Sequence, residues 1–315
     1  MSTNTNDFEY DSTLMKAAKF LGLKKLRWSL RRLHCPVNSE ALVLEVGAGG
    51  NPYPRANVLL DAMESTIERM EKSLIKDRPL VLGICEKLPF KDKSFDFVIA
   101  SHVFEHTSNP EKFLTELMRV GKAGYIETPE GWFEKLCAFT FHRLEVSNLG
   151  GKLFIRKKSS WKPDESAILW DNKLANSKEL LNFLISNADL YHMRFFWKDK
   201  IEFEVVNPEC NANWPFPIVE SEGTYHNSFF SQVRDLYLKV RRWAYSQNTR
   251  NKNIDIINLL LCPDCESTSL SKDEDLIICN SCKRKYEIKN NIPHLFPSDL
   301  GEFISSHQTY STVKI

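Results

Sequence analysis

The chain has 315 residues, 42% of them hydrophobic and 26% charged, which is enough to bury one large core and a small second domain. Its 42 basic and 41 acidic residues give a formal net charge of +1. This balance excludes a strong overall field that would attract nucleic acid or an anionic membrane, so such partners would need a local patch. The first residues lack the pattern of a secretory signal, and no apolar run approaches the roughly 20 residues of a membrane span. We therefore expect a cytoplasmic protein.

Residues 1–40 form an N-terminal segment in which a basic amphipathic helix is predicted. From Leu14 to Leu33, apolar residues recur at helical spacing between lysines and arginines. Two interpretations stay open. The helix packs on the main domain with its lysines in solvent, or it contacts a membrane surface or an anionic substrate. Peripheral membrane contact therefore remains one expectation for this segment.

A parallel sheet is predicted between Ala41 and Thr128, where short apolar runs alternate with helical patterns. Helices are predicted from Ser65 and from Asn109, where a capping side chain precedes apolar positions at helical spacing. A sheet of this kind binds its ligand at the carboxyl ends of the strands. The predicted strands are Leu42–Val46, Val58–Leu60, Leu80–Gly83, Phe95–Ala100 and Tyr125–Glu127.

Residues 131–250 follow this sheet and are expected to determine which acceptor is bound. A helix is predicted near Ser177–Ile185, and the segments YHMRFFW and IEFEVV are predicted to form a hairpin. The polar stretch 247–253 is a candidate domain boundary. Arg143 suits a phosphate or carboxylate on the acceptor.

A glycine-rich turn follows the first predicted strand. The strand runs directly into Gly47-Ala48-Gly49-Gly50, where a side chain would block close approach of a ligand to the backbone. Asp61 ends the next strand, where its carboxylate can accept hydrogen bonds from the two hydroxyls of a ribose. The glycine turn alone fits many α/β domains, so the prediction depends on the segments that follow it.

Three further segments complete an ordered series: residues 83–90 (GICEKLPF), residues 93–106 (KSFDFVIASHVFEH) and residues 119–124 (RVGKAG). Together with the glycine turn and Asp61, this series resembles the class I S-adenosylmethionine-dependent methyltransferases of the ubiquinone-biosynthesis-like group. The resemblance covers about residues 41–130. It implies an α/β fold with the Rossmann-like class I methyltransferase sheet, and S-adenosylmethionine as cofactor.

The resemblance also implies roles for individual residues around the cofactor. It places the methionine side of the cofactor against Glu45, Gly47 and Gly49, the ribose against Asp61, and the adenine against Ile84, Cys85 and Glu86. It also places Ser101 and His102, which follow the fourth strand, beneath the methionine. Two features depart from the family pattern. Only Asn51–Asn57, with two prolines, separates the glycine turn from the next strand, so this connection is predicted to be short and non-helical. Ile84 stands where family members commonly have aspartate.

Methyl transfer requires an acceptor nucleophile placed in line with the methyl group, and a hydroxyl acceptor also needs a base. Three histidines are candidates for catalytic residues: His102 and His106 follow the fourth strand, and His142 lies in the next segment. A packing or capping role is the alternative for each. The segment after Ala100 reads Ser-His-Val-Phe and lacks the Asn-Pro-Pro-Tyr type of motif used for planar amide or base nitrogens.

Four cysteines near the C-terminal end indicate a metal site. Cys262 and Cys265 form one CxxC pair, Cys279 and Cys282 form a second, and thirteen residues separate the pairs. Four thiolates in this spacing close a tetrahedral zinc site, which is structural because no coordination position stays open. The other four cysteines are scattered singly, which suits a reducing compartment.

The flanks of these pairs, including LLLCPDC, DLIIC, YEI and NIPHLFP, resemble the small zinc-ribbon activator family that partners tRNA, ribosomal RNA and release-factor methyltransferases. The resemblance implies a stabilising or docking role. A nucleic-acid-binding ribbon is the main competitor, but acidic residues around the first pair and at 273–275 weaken a phosphate-binding face. The predicted domains are residues 41–250 for the methyltransferase, 255–298 for the small C-terminal zinc ribbon and 299–315 for a tail.

The leading functional hypothesis is a methyltransferase acting on a small-molecule, glycan or lipid-linked acceptor. The fused architecture resembles bacterial methyltransferases encoded among cell-surface polysaccharide genes. An RNA or protein methyltransferase with a built-in activator is the second hypothesis. A non-enzymatic scaffold that keeps the fold is the third.

Overall fold

The computed structural model describes residues 8–64, 73–137, 139–163, 165–214 and 229–299. The helix predicted from Ser65 lies outside this part of the chain. The chain divides into two compact units. The first unit comprises residues 1–41, 100–118 and 122–216, and the second comprises residues 42–99, 119–121 and 217–315.

The second unit contains the parallel strands. β1 (Val43–Val46), β2 (Val58–Asp61) and β3 (Leu80–Leu82) pair in parallel. With β4 (Phe97–Ser101) they follow the order β3-β2-β1-β4, so the order reverses at β1. Every residue of these strands is buried, as expected for nearly continuous apolar runs in a parallel sheet. The prediction of four strands here is confirmed, with ends that differ by one or two residues.

The first unit contains the end of β4, followed in sheet order by β5 and β8. β5 (Ala123–Pro129) and β8 (His192–Lys198) are antiparallel over seven paired residues. A separate three-stranded sheet has the order β6-β7-β9, in which β6 and β7 form a hairpin and β9 pairs with β7 in parallel. Its strands are β6 (Leu144–Leu149), β7 (Lys152–Lys157) and β9 (Phe203–Val205).

The described residues form eight α-helices. Among the described helices, none is long and apolar enough to cross a membrane. The predicted cap of the helix after Asn109 is confirmed, since the Asn109 side chain accepts a hydrogen bond from the Lys112 backbone. The helices are α1 (Thr13–Phe20), α2 (Lys24–Leu30), α3 (Pro110–Val120), α4 (Gly131–Leu136), α5 (Glu165–Asn176), α6 (Lys178–Ser186), α7 (Phe229–Tyr245) and α8 (Asn248–Lys252).

The predicted N-terminal helix is two helices rather than one. Gly22 lies between α1 and α2 with a φ of +70°, a left-handed conformation that ends a helix and that glycine adopts without steric cost. α2 continues into a short 3₁₀ turn over Arg31–Leu33. The apolar spacing was correct on each side of Gly22, but the glycine interrupts the helical register.

The hairpin predicted from YHMRFFW and IEFEVV is wrong. β8 pairs with β5 and β9 pairs with β7, so the two segments belong to different sheets. Consecutive buried aromatics at Phe195, Phe196 and Trp197 explain the difference. Side chains on both faces of β8 need cover, which a local hairpin cannot give and a position in a packed sheet can.

The polar stretch 247–253 is not a loose linker. It contains α8, and Asn251 is buried, where its side chain accepts a hydrogen bond from Asn57 at 2.8 Å. Gln247 accepts a second bond from the same Asn57 amide at 2.8 Å. The polar side chains of this stretch thus satisfy one another in the interior, and its role as a domain boundary stays a prediction.

The two CxxC pairs flank β10 and β11 of a four-stranded sheet of order β10-β11-β12-β13, and only Cys279 lies in a strand. This sheet packs on the edge of the parallel strands within the second unit. β13 leads into His294, which bridges to Leu82 of β3, and the Leu295 backbone donates to the Leu82 carbonyl at 2.8 Å. This contact covers an edge strand that would otherwise present unpaired backbone groups. The strands are β10 (Leu270–Asp273), β11 (Leu276–Cys279), β12 (Lys285–Lys289) and β13 (Ile292–Pro293).

Candidate functional site

The glycine turn and Asp61 meet at the carboxyl ends of β1 and β2. Gly47 and Gly49 have φ values of +66° and +56°, which glycine adopts without the strain that a side chain would add. The Gly49 backbone donates to Asp61 Oδ2 at 2.9 Å, and the Met63 backbone donates to Oδ1 at 3.2 Å. These two backbone bonds fix the Asp61 carboxylate in place at the end of β2.

Glu45 organises the short connection after the glycine turn. Its buried carboxylate accepts a hydrogen bond from the Tyr53 backbone at 2.7 Å. Asn51 in the same connection accepts a bond from Arg241 at 3.2 Å. Residues 51–57 contain no helix, as the two prolines predicted. Glu45 therefore fixes the loop that borders the glycine turn.

Ile84, Cys85 and Glu86 follow β3 at the same edge of the strands. Cys85–Lys87 form a short 3₁₀ turn, and the side chains of Ile84 and Cys85 are buried. Burial, reinforced by the negative charges of Glu86 and Asp61, raises the pKa of the Cys85 thiol well above its usual value. The buried Cys85 side chain is thus an uncharged thiol near Asp61. The seven second-unit residues that the sequence assigned to the cofactor therefore lie at the carboxyl ends of β1, β2 and β3, and their roles remain predictions.

Ser101 ends β4 and His102 follows it in the first unit, where both approach Glu127 of β5. Ser101 Oγ donates to Glu127 Oε1 at 3.4 Å. His102 has a φ of +55°, with Nε2 3.2 Å from Glu127 Oε1 and Nδ1 3.3 Å from Glu105 Oε1. Burial acts to lower the pKa of His102, but the two carboxylates outweigh it and raise that pKa to about 9. At neutral pH the imidazole already carries its proton, which makes it a poor base.

Glu127 is a central residue that sequence reasoning missed. Its side chain is 0% exposed, and Arg31 donates to both of its oxygens at 2.9 Å. Tyr125 donates to it as well. Burial acts to raise the pKa of Glu127, but the charge of Arg31 and the contact with His102 hold that pKa well below its usual range. A single acidic residue inside the apolar segment of β5 was the signal that could have identified it.

The other two candidate histidines lie together beside Glu105. The rings of His106 and His142 are 4.9 Å apart in an edge-to-face arrangement. Ligand atoms of Glu105, His106 and His142 all lie within 4.8 Å of one another. We call these three residues the Glu–His cluster. The structure brings all three sequence-predicted histidines together, because His102 contacts the same Glu105.

A carboxylate orients His142. Glu134 Oε1 lies 2.5 Å from His142 Nδ1, and Lys158 donates to Glu134 Oε2 at 2.7 Å. A carboxylate at Nδ1 fixes the ring and leaves Nε2 available for a proton or a metal. Sequence reasoning missed Glu134, which precedes His142 by eight residues and shares no motif with it.

A pocket of about 380 Å³ lies next to Glu134 within the first unit. Its lining carries both charges, including Glu134, Lys158 and Arg156, and also the Trp161 ring. Arg143 does not line this pocket. Its side chain is 2% exposed and donates to the carbonyls of Ala212 and Trp214. That burial does not favour the predicted contact between Arg143 and an acceptor.

The four cysteines of the C-terminal sheet form a compact sulfur cluster. The Sγ atoms of Cys262 and Cys282 are 3.7 Å apart, and those of Cys265 and Cys279 are 3.5 Å apart. Two sulfurs on one tetrahedral zinc are separated by about 3.8 Å, given zinc–sulfur bonds near 2.3 Å. The observed spacing therefore fits a metal ion and is far too long for a disulfide. The four cysteines can hold a metal ion, as the sequence predicted.

The two CxxC turns share one backbone geometry, in which the residue after the second cysteine bonds back to the first cysteine. The backbone of Glu266 donates to the Cys262 carbonyl at 2.8 Å, and that of Lys283 donates to the Cys279 carbonyl at 2.9 Å. Both donors have positive φ. Tyr286 supports the cluster by placing its hydroxyl 3.0 Å from Cys262 Sγ.

Comparison with known proteins agrees with the fold. Residues 44–126 match a family described as "Methyltransferase domain". The chain is 29% identical over 142 residues to sterol 4-C-methyltransferase strm-1 of Caenorhabditis elegans, which covers 39% of this chain and 42% of that protein. It is 28% identical over 129 residues to the ubiquinone/menaquinone biosynthesis C-methyltransferase UbiE of Stenotrophomonas maltophilia, with coverages of 37% and 48%. The chain thus spans less than half the length of these curated relatives.

One solved structure is similar to part of the chain. A chain of the complex between the Haloferax volcanii Trm112 methyltransferase activator and a methyltransferase matches 36% of this chain and 57% of its own length. The identity is 20% and the TM-score is 0.27. The family match covers residues 44–126 of the segment predicted to be a methyltransferase domain, and the parallel strands confirm the predicted α/β class.

Proposed function

We propose that this chain is an S-adenosylmethionine-dependent methyltransferase whose cofactor binds at the carboxyl ends of β1, β2 and β3. The observation that carries the proposal is the fixed carboxylate of Asp61, held by the Gly49 backbone at the end of a parallel strand. A carboxylate in this place suits the two hydroxyls of a ribose. Gly47 and Gly49 leave room for the methionine part, and Ile84 and Cys85 offer an apolar wall for the adenine.

When bound, the cofactor supplies a methyl group on a positively charged sulfur, so the chain itself has to position and activate the acceptor. A hydroxyl acceptor must lose its proton as the new bond to the methyl carbon forms. We assign this activation to the Glu–His cluster, in which the Glu134 carboxylate orients the His142 ring. We assign to His102, which contacts Glu105 and Glu127, the task of orienting Glu105.

We propose a small-molecule, glycan or lipid-linked acceptor, as opposed to RNA or protein. The pocket beside Glu134 has the volume of a ligand site and carries both charges. The relatives support small acceptors only through their own names, which specify sterol and quinone methylation. A role in cell-surface polysaccharide synthesis rests on the sequence resemblance alone.

The acceptor class can be tested by transfer of a labelled methyl group. The chain is incubated with S-adenosylmethionine carrying a tritiated methyl group and with lipid, glycan, small-molecule, RNA and protein fractions of a bacterial extract. We expect label in one of the first three fractions, and we expect S-adenosylhomocysteine to suppress it. Label confined to RNA or protein would favour the second hypothesis. If cofactor binds but no fraction is labelled, the scaffold hypothesis gains support.

We further propose that α1 and α2 contact anionic membrane surfaces. Phe20 and Leu21 are 91% and 65% exposed, and the lysines Lys19 and Lys25 beside them are exposed too. Apolar side chains flanked by lysines are typical of helices that lie at a lipid interface. Such contact would suit a lipid-linked acceptor.

Vesicle binding tests this contact. We expect the chain to float with vesicles that contain anionic lipid and to stay in solution with neutral ones. The double variant Phe20→Ser, Leu21→Ser should reduce binding about tenfold or more, because two apolar side chains no longer enter the interface. Leu149→Ser removes a similarly exposed leucine elsewhere and should have no effect. Equal binding by the double variant would rule out this surface.

For the cysteine cluster we propose one structural zinc ion in a C-terminal zinc ribbon. The sulfur distances fit, and the ribbon packs on β3 through Leu82 and Leu295. In this proposal the ribbon docks on β3 of the same chain, whereas the activators that it resembles are separate proteins. Asp264 is already bonded to Tyr286 and Ser298, and the acidic residues of this region do not favour a nucleic-acid partner.

A further inference from the structure

We propose that the Glu–His cluster is a second metal site, distinct from the four cysteines, which binds a divalent first-row transition metal through Glu105, His106 and His142. Two imidazoles and one carboxylate are ligands that such metals accept, and three protein ligands leave positions open for an oxygen atom of a substrate or water. Metal binding by these residues does not depend on the methyltransferase proposal. Only its catalytic use, activation of the acceptor, rests on that proposed function.

The first observation is the state of the Glu105 carboxylate. Its side chain is 1% exposed. Oε1 forms an ion pair with His102 at 3.3 Å, and His102 is shared with Glu127. Oε2 has no hydrogen-bond partner among the described residues, so this buried oxygen is the atom that can bind a further cation. The histidines nearest to it supply the other ligands that a metal ion needs.

The second observation is the geometry of the three ligands. Their ligand atoms lie within 4.8 Å of one another, whereas two ligand atoms on one tetrahedral metal are about 3.4 Å apart for bonds near 2.1 Å. Side-chain rotations that move each atom by roughly 1 Å close the site. The backbone supports this, because the Arg143 N–H donates to the Glu105 carbonyl at 2.7 Å. That bond ties the segment carrying His142 to the segment carrying Glu105.

The third observation is that residues outside the cluster orient two of the ligands. Glu134 contacts His142 Nδ1 at 2.5 Å and is itself held by Lys158. His102 contacts Glu105 on one side and Glu127 on the other. A carboxylate behind a metal-bound histidine is the usual support of such ligands, and it increases the basicity of the ring. An accidental meeting of three side chains would not require this support.

Cobalt binding to the full chain, purified with zinc in its cysteine cluster, tests the site. We expect one further equivalent of Co²⁺ with weak visible bands of nitrogen and oxygen ligands and without intense thiolate-to-cobalt bands. Glu105→Gln, His106→Gln and His142→Gln should each abolish this equivalent. Glu134→Gln should weaken it by 10- to 100-fold, as expected for loss of a carboxylate behind a metal-bound histidine. His34→Gln removes an imidazole outside the cluster and should bind like the unmodified chain.

Three outcomes overturn the proposal: no second equivalent in the unmodified chain, a thiolate spectrum for that equivalent, or unchanged binding by the three ligand variants. A variant that loses its thermal unfolding transition is unfolded, and its loss of cobalt binding then says nothing about the ligands. In that case X-ray absorption of the cobalt-loaded unmodified chain identifies the ligand atoms. A contribution from a nitrogen and oxygen shell with outer-shell imidazole scattering is expected. A spectrum explained by sulfur alone would refute the site. Because no readout needs methyl transfer, failure here and failure of the proposed function are separate results.

Discussion

Removal of the proposed zinc ion is expected to unfold the proposed C-terminal ribbon while the α/β core stays folded. Residues 255–298 form a segment of about 40 residues, which is too small to fold on apolar burial alone. Metal binding by comparable zinc-finger peptides releases roughly 10–16 kcal/mol, most of which acts as folding free energy. The parallel strands of the second unit have a large buried core of their own. Loss of the metal should therefore be a local event.

Amide hydrogen exchange during chelator titration measures where the chain unfolds, and elemental analysis follows the zinc content. We expect fast exchange first in β10, β11 and β12 and then at β3, because the Leu295–Leu82 backbone bond is lost with the ribbon. Cys279→Ser should reproduce the effect, whereas Cys210→Ser, outside the cluster, should not. A chain without zinc after expression in the presence of zinc, or cysteine variants with unchanged stability, would contradict the four-thiolate site.

Arg31→Met is expected to lower the free energy of unfolding by about 3 kcal/mol. Removal of one partner of a buried ion pair costs about 3–5 kcal/mol, since the other charge stays buried without compensation. The lower value applies because Glu127 keeps its contact with His102 at 3.2 Å. Urea unfolding of the variant and of Arg31→Lys measures the effect. The lysine keeps the charge but loses the paired bonds of the guanidinium, so we expect an intermediate loss.

The same pair predicts how stability depends on pH. The pKa of Glu127 is well below its usual value of 4.5 in the folded chain. Its stabilising contribution is therefore complete above about pH 5 and is lost as the pH falls through the folded pKa. Arg31→Met raises that folded pKa, so its stability should change less in acid than that of the unmodified chain. Lys25→Met removes an exposed charge from the preceding helix α2 and should leave the free energy of unfolding and its dependence on pH unchanged. Equal acid sensitivity of Arg31→Met and the unmodified chain would contradict this account.

Local patterns were sufficient to predict the parallel strands, the glycine turn and the cysteine pairs. β1 and β2 are short buried runs that end in residues with special requirements, glycine at 47 and aspartate at 61. The spacing within each CxxC pair is itself the geometry of a metal-binding turn. Each of these features depends on residues close in sequence, so the sequence alone contained the information.

Contacts between distant segments could not be predicted in this way. Arg31 and Glu127 are 96 residues apart, and neither lies in a motif that names the other. β8 has the composition of a hairpin strand, yet its partner is β5, more than sixty residues earlier. The Glu–His cluster contained two predicted histidines, but Glu105 and the carboxylate of Glu134 became visible only when the fold brought them together.

Calorimetric titration with S-adenosylmethionine tests the central claim most directly. We predict that the unmodified chain binds one equivalent, and that Asp61→Ala loses about 1–3 kcal/mol of binding free energy, or about 5- to 150-fold in affinity, because charged hydrogen bonds to the ribose are removed. Asp273→Asn, an exposed aspartate on β10, should bind like the unmodified chain. No binding by the unmodified chain, or equal affinity for Asp61→Ala, would contradict a cofactor site built on the glycine turn and Asp61.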